Sequence, residues 1–512
     1  MWSTVLFYIG VILIALRLFK KLRIPPRSKL PPGPTGLPVI GNLFQLPTSR
    51  PWLVFDEWMK QYGPIVYLNI AGQNTIVLGT HKTAADLLDR RANIYSDRPD
   101  FVVLNLLTGG MHWAWTQADE LWRKKRRGAH EAMNAQTAKE YFPYQETESV
   151  IMLDQLLADP ENFTDHFQRA STSLTLTIVY GWPPLIDSAH PNVLHINRMN
   201  QQLLIAAAPG SFWVEFKHFK WMRYLPKWMC AWRRDAENAF NHDSVMFEEL
   251  SADVQKRMDA GDDVTCVAAK ILQETENLFE ASWNSVSIYS AGAETTSGQL
   301  AWFMQAMILY PEAQLLAQDE LDRVVGPDRL PTFDDYEHLP FIRATVKEIL
   351  RWRGVSPLGL PHRLSEDDYY EGYFLPKDTT CFVNIWSLHH DTEVYGADAE
   401  HFNPKRFLDA NGNLQSSIVD TKDEGHYSYG FGKRICVGRY IANNSLFIHI
   451  AFLLWAFNIT AKVDADGNPI LPDSLQFNEG LIVRPAPFSC DIIPRKMDVS
   501  EIIAQAKADR GL

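Results

Sequence analysis

The chain has 512 residues, 46% of them apolar and 21% charged, a globular composition that excludes a disordered or fibrous protein. Its formal net charge of −12 argues against nucleic acid as the main partner. The five cysteines (Cys230, Cys266, Cys381, Cys436 and Cys490) are too few and too scattered for a disulfide framework or a zinc site, and they place the bulk of the chain in a reducing compartment.

No charge occurs from Met1 to Leu16; Arg17, Leu18 and Phe19 extend that stretch, and Lys20, Lys21 and Arg23 come after it. Nineteen helical residues would span about 28 Å, close to the thickness of a bilayer core. A cleaved signal peptide would need a basic start and a small-residue cleavage site, and neither is present. Residues 1–19 are therefore expected to form a transmembrane anchor, and the cations after it leave the rest of the chain in the cytoplasm. Residues 20–50 are basic and then rich in proline, which forbids helix and predicts a stiff, extended spacer. Residues 51–495 read as one body and 496–512 as a tail. Alternation through residues 65–79, around Gly72-Gln73-Asn74, predicts a β-hairpin. Most of the chain beyond this hairpin has helical period, so the expected fold class is mostly α, a large helical body with small β-sheets.

The stretch LWRKKRRGAH puts Trp122 and Arg126 four apart, on one helix face; alone it reads as an ordinary basic surface helix. Residues 208–229 mix Trp213, Trp221 and Trp228 with lysines and arginine. That composition suits a segment resting on a membrane surface, with a core aromatic cluster as the alternative. From about residue 276 to Tyr310 the sequence runs without proline and is apolar on most sides, which predicts a long central helix stopped by Pro311. Its middle, AGAETT at residues 291–296, is poor helix material. Two explanations stand open: a local kink with the threonines bonding back to the backbone, or a function that requires these residues. In KEILR, Glu348 and Arg351 lie three apart and can pair, as solvated surface pairs commonly do. His362 stands in LPHRL, and Arg406 in FNPKRF.

The stretch YGFGKRICVG, residues 429–438, sets Cys436 among three glycines and two cations. Gly430, Gly432 and Gly438 let the backbone approach closely and aim N–H groups at one point. Such donors, with nearby cations, stabilise a thiolate. The plain alternative is a buried cysteine in a glycine-rich loop. A lone thiolate with no second sulfur or histidine at metal spacing fits the axial position of a haem iron.

This stretch resembles the cysteine loop of the cytochrome P-450 monooxygenases, Phe-x-x-Gly-x-Arg-x-Cys-x-Gly, with Tyr429 in the first position. The resemblance implies the cytochrome P-450 fold and a haem b whose iron takes Cys436 as ligand, with Gly438 in the same loop. It implies further that Trp122, Arg126, His362 and Arg434 serve the haem propionates, two buried carboxylates that need several charge-assisted donors. Glu348, Arg351 and Arg406 would form a structural network behind the haem, with Lys405 where the family usually carries a glutamate. AGAETT is similar to the family's oxygen-activation segment: a glycine that admits dioxygen, Thr295 to hydrogen-bond it and Glu294 to supply protons. The family-equivalent substrate walls are residues 101–107, 206–212, 288–295, 355–360 and 477–482, mostly apolar, which implies a hydrophobic small-molecule substrate.

The chain has no flavin or nicotinamide fingerprint, so electrons must come from another protein. The resemblance names an NADPH-cytochrome P-450 reductase, with cytochrome b5 as a candidate second donor. A basic docking face is expected from Arg123 to Arg127 with Lys433 and Arg439. The chain looks most like microsomal fungal secondary-metabolite oxidases related to O-methylsterigmatocystin oxidoreductase. That likeness implies a single-pass protein of the endoplasmic-reticulum membrane that hydroxylates a terpenoid, polyketide or indole-type scaffold. Two rivals remain. One is a reductase-independent haem-thiolate isomerase or dehydratase, although such members often lose the acid–alcohol pair. The other is a non-enzymatic haem-binding sensor, which needs no proton-delivering threonine.

Overall fold

The expected hairpin forms from β1 (Ile65–Ile70) and β2 (Gln73–Leu78), paired antiparallel from Ile65 with Leu78 to Ile70 with Gln73. Ala71 and Gly72 make the turn with φ of +42° and +90°, the twist that suits a two-residue hairpin loop. The computed structural model describes residues 29–512 apart from 48, 188–189, 209–210, 276, 416–419 and 479. Two further short strands complete the sheet. In it β2 runs parallel to Thr380–Val383, which pairs antiparallel with β3 (His362–Arg363). A separate hairpin joins β4 (Asp368–Tyr370) to β5 (Tyr373–Leu375), which makes Thr380–Val383 β6. A last pair joins β7 (Phe457–Ala461) to β8 (Cys490–Pro494).

The rest is helical. The longer helices are α1 (Pro51–Tyr62), α2 (Glu120–Met133), α3 (Phe142–Ala158), α4 (Phe163–Tyr180), α5 (Pro191–Ala207) and α6 (Ala231–Asp259), then α7 (Val267–Glu274), α8 (Leu278–Leu309), α9 (Pro311–Val324), α10 (Pro340–Trp352), α11 (Arg439–Ala456) and α12 (Val499–Ala508). The central helix is α8. The Asn277 side chain caps its start by accepting from Glu280 N, and it ends at Tyr310 before Pro311, where α9 begins. It packs against α4, α6 and α11. A buried carboxylate starts α10: Glu320 accepts from Phe341 N at 2.9 Å and Ile342 N at 3.0 Å, satisfying two N–H groups that the helix itself cannot.

The spacer and the tail take on contacts that the sequence did not show, and one alternative reading falls away. The described part of the proline-rich stretch, residues 29–50 apart from 48, is not uniformly extended, with a turn near Val39 and a 3₁₀ helix at Leu43–Gln45, and it does not stand free as a spacer. Lys29 O accepts from Phe374 N at 2.7 Å and Pro32 O from Tyr67 N at 2.8 Å, so strand edges that need partners recruit it. Gly33 is obligatory there, because a Cβ would sit 2.0 Å from the Tyr67 carbonyl oxygen. The tail carries α12, which docks on α3 and buries Val499 and Ile503 in the main core. The segment at 208–229 forms short 3₁₀ turns with Trp213, Trp221 and Trp228 at 56%, 58% and 76% exposure, which rules out a core cluster for those rings. No helix among the described residues is long and apolar enough to cross a membrane. The anchor expected at residues 1–19 lies outside the described residues.

Candidate functional site: a cysteine loop, a breached helix and buried cations

The Cys436 loop is shaped by close approach. Gly432 has φ +55°, and a Cβ there would lie 2.1 Å from the Leu88 carbonyl oxygen, so only glycine fits. Cys436 N donates to Tyr429 O at 2.8 Å, closing the loop. The other four cysteines are buried, whereas Cys436 is accessible although protein surrounds it, so its sulfur opens on internal space. Burial pushes its thiol pKa up, while the Arg126 guanidinium, the Gly438 N–H and Arg439 pull it down. A Cβ on Gly438 would meet nothing within 4 Å.

The central helix shows a matching breach. Burial is continuous from Ala281 to Tyr289 and from Ser297 to Ile308, but between them Ala293 alone is buried, and Ala291 is exposed in the middle of the molecule. The two explanations open for AGAETT both hold a part. Thr295 Oγ1 donates back to Ala291 O at 3.0 Å, yet the helix runs unbroken and opens here on space. At Gly292 the two helices pack closely, since a Cβ there would lie 3.0 Å from Thr175 on α4. Burial raises the Glu294 pKa, and Arg484 offsets part of that rise. Val437, beside the cysteine, and Ala293, on the helix, belong to one apolar cluster that also holds Trp122.

Arg98, Arg126 and Arg434 form a cluster of cations with no carboxylate in ion-pair contact among the described residues, although Asp97 and Asp119 act on Arg434 from further off. Arg434 donates to the carbonyls of Ser96 at 2.7 Å, Trp113 at 3.1 Å and Thr116 at 2.6 Å, and stacks over the Trp122 ring at 4.2 Å. Arg126 reaches the Ile435 carbonyl and lies over Trp113. Arg98, which sequence reasoning missed, donates to Ala114 O at 2.9 Å and Pro361 O at 2.7 Å. His362 Nδ1–H donates to Tyr95 O at 2.7 Å, and burial with Arg98 keeps the ring neutral. Burial first, with repulsion from Arg98 and Arg126, presses Arg434 down to about 8; burial with Arg126 brings Arg98 to about 9, and burial with Arg439 brings Arg126 to about 10. A guanidinium does not readily give up its proton, so this strain is a demand for anions. The Trp122 Nε1 donor is buried without a partner in the same place. A flat group carrying two carboxylates and an iron would fit this set: Arg434, Arg98, Arg126 and the Trp122 Nε1–H would hold the carboxylates and Cys436 the iron, and Val437 and Ala293 share one apolar cluster with Trp122. Arg98 left no motif in the sequence, being one arginine before a proline in a loop.

The other expected residues divide clearly. Glu348 and Arg351, both fully buried, form a two-pronged pair at 2.7 and 2.8 Å, and Arg406 joins Glu348 Oε1 at 3.1 Å. Arg351 also donates to the carbonyls of His389, Ala399 and His401. Lys405 is exposed, and Asp398 supplies the outer carboxylate instead, 3.1 Å from Arg406. Of the cations expected on a docking face, Lys125 turns inward to Met111 O at 2.8 Å, Arg126 is taken into the site, and Arg439 lies against Glu424 at 3.7 Å and over Tyr440. Arg123, Lys124, Arg127 and Lys433 remain exposed. A surface cleft of about 530 Å³ lined by Ile470 and Phe488 shares no residue with this site.

Fold and site together are those of a mostly helical protein with an accessible cysteine loop beside buried cations, consistent with a haem-thiolate protein. The chain belongs to the cytochrome P-450 family, whose model matches residues 31–490. It is 47% identical to a cytochrome P-450 monooxygenase of Armillaria gallica, over 97% of this chain and 96% of that one. It is 43% identical to cytochrome P-450 monooxygenase 58 of Postia placenta (97% and 94% covered) and 39% identical to cytochrome P-450 monooxygenase iboC of Amanita muscaria (97% of each). Membership makes the chain an oxidoreductase that uses haem iron, dioxygen and electrons passed from NADPH by a reductase, acting on a hydrophobic substrate.

Proposed function

We propose that the protein hydroxylates a hydrophobic scaffold of terpenoid, polyketide or indole type in fungal secondary metabolism. The observation that carries the reading is the pairing of an accessible, enclosed Cys436 with a central helix breached at residues 291–296, both bordering one apolar cluster. The bound haem would supply the oxidation of an unactivated carbon. Cys436 is the residue that would hold its iron, and Arg126 with the Gly438 N–H favours the ionised sulfur. Trp122, Arg126, Arg434, His362 and the added Arg98 would orient the group through its carboxylates. An anion beside His362 would also return a proton to that ring.

Thr295 now donates to the Ala291 carbonyl, so its oxygen lone pairs face away from the backbone. Turning the hydroxyl outward frees it to pass a proton into the accessible space, and Glu294, one residue back, is the acid that would replace it. The apolar walls hold the substrate and exclude water. The exposed Arg123, Lys124, Arg127 and Lys433 would receive an acidic reductase, with cytochrome b5 as a second donor. Residues 1–19 would anchor the chain in the endoplasmic-reticulum membrane with this domain in the cytoplasm. The exposed tryptophans of residues 213–229 would rest on the same lipid.

The test is expression with an NADPH reductase and feeding of candidate scaffolds, with products read by mass spectrometry. A substrate gains one oxygen atom in the intact protein. Thr295→Ala keeps consuming NADPH but releases peroxide at the expense of product, and unchanged coupling would count against the proton role. Isomerisation without NADPH would favour the rearranging alternative.

A further inference from the structure

We infer that Arg484 is a positioning residue for Glu294, fixing the orientation and charge state of the acid on the breached helix. The inference rests on the proton role proposed for Glu294. Arg484 reaches α8 from the C-terminal loops, where Val483 N donates to Val355 O at 2.7 Å and the Arg484 side chain crosses the face of Gly298. Its guanidinium is firmly seated. Nη2 donates to Gln168 Oε1 on α4 at 2.9 Å and to the Glu294 backbone carbonyl at 3.1 Å. Gln168 is itself fixed, accepting from Ser297 Oγ at 2.9 Å and donating to Ala293 O at 3.0 Å. Three elements thus lock the cation in place.

The Glu294 carboxylate is held differently. Its contact with Arg484 is 3.8 Å, an ion pair without a close hydrogen bond, and both side chains are mostly covered at 19% and 28% exposure. A fixed cation beside a loosely held acid is a seat from which the acid can swing, with its negative charge stabilised whenever it returns. Among the described residues Arg484 is the one charged side chain acting on Glu294; the Tyr289 hydroxyl feels the carboxylate from the preceding turn, and α4 presents the neutral Gln168. Residues 477–482, which the family resemblance assigns to a substrate wall, end two positions before Arg484.

Burial raises the Glu294 pKa and Arg484 lowers it, so removing the cation leaves the acid protonated to higher pH. The experiment is infrared difference spectroscopy of the purified holoprotein across pH, with Glu294→Gln identifying the carboxyl band. In Arg484→Gln that band persists about one pH unit higher, a tenfold change in its protonation equilibrium. Arg484→Lys keeps the charge and brings the titration back toward wild type, which a merely structural role would not do. Peroxide release per NADPH rises several-fold in Arg484→Gln and less in Arg484→Lys. An unshifted band in Arg484→Gln overturns the inference, as does a shift that Arg484→Lys fails to reverse. If Glu294→Gln leaves peroxide release unchanged, the proton role falls instead, and the band still decides whether Arg484 seats the acid.

Discussion

Lys125 shows how far one residue can depart from the pattern around it. It stands in a run of five cations, yet it is 5% exposed, with Nζ donating to the Met111 carbonyl and no carboxylate in contact. Burial pulls its pKa down to about 8 from an ordinary value of 10.5. The unfolded chain therefore binds more protons than the native one between those values, so stability rises with pH across that window and the penalty is full below about 8. Lys125→Met is expected to stabilise the protein by about 1–3 kcal/mol at pH 7. The gain should fade as pH rises from 8 toward 10.5, as read by denaturant unfolding at a series of pH values. Glu348 presents the opposite case. It is fully buried but paired twice over, so its removal strands Arg351 rather than relieving it.

At the scale of elements, α8 and α12 differ in how much of each was legible. The length of α8 was legible because nothing interrupts it before Pro311, and its capping residue stands one position before its start. What its weak centre is for was not legible from propensity, since a back-bonded threonine and an opening on internal space look alike in sequence. α12 left little signal as a tail after the last strands, yet Ile503 is fully buried against the core and the helix docks on α3. Ile503→Asp is expected to cost about 3 kcal/mol, the loss of one buried aliphatic side chain with a charge forced into its place. Thermal unfolding should report it as a fall of several degrees in Tm, with the Cys436 loop unaltered at lower temperature.

Across the whole molecule, two surfaces separated in sequence come together. His218, in the aromatic segment, lies 3.1 Å from Val39 O in the proline-rich stretch and donates its backbone N–H to Ala71 O at 3.3 Å. Exposed Val39 thus lies beside the segment that carries exposed Trp213 and Trp221. If this side rests on lipid as proposed, a chain lacking residues 1–28 should still float with anionic vesicles. Replacing Trp213, Trp221 and Trp228 by serine should release it, as measured by flotation at fixed salt.

The cysteine loop, the Glu348–Arg351–Arg406 trio and the Trp122 helix were readable through their resemblance to a known family; spacing alone left Glu348–Arg351 and the Trp122 helix as ordinary surface features. The periodicity of α8 and the hairpin turn were readable as local patterns. Arg98, Arg484, Gln168, the inward turn of Lys125 and the pinning of residues 29–47 were not, because each depends on a partner tens to hundreds of positions away. By itself, through its resemblance to a known family, the sequence pointed to Cys436, Glu294 and Thr295 as the candidate reacting residues. Tertiary structure alone decided which cations are buried without a carboxylate in ion-pair contact and which one lies beside Glu294, because burial and long-range approach set those charges, and neither is written in local order.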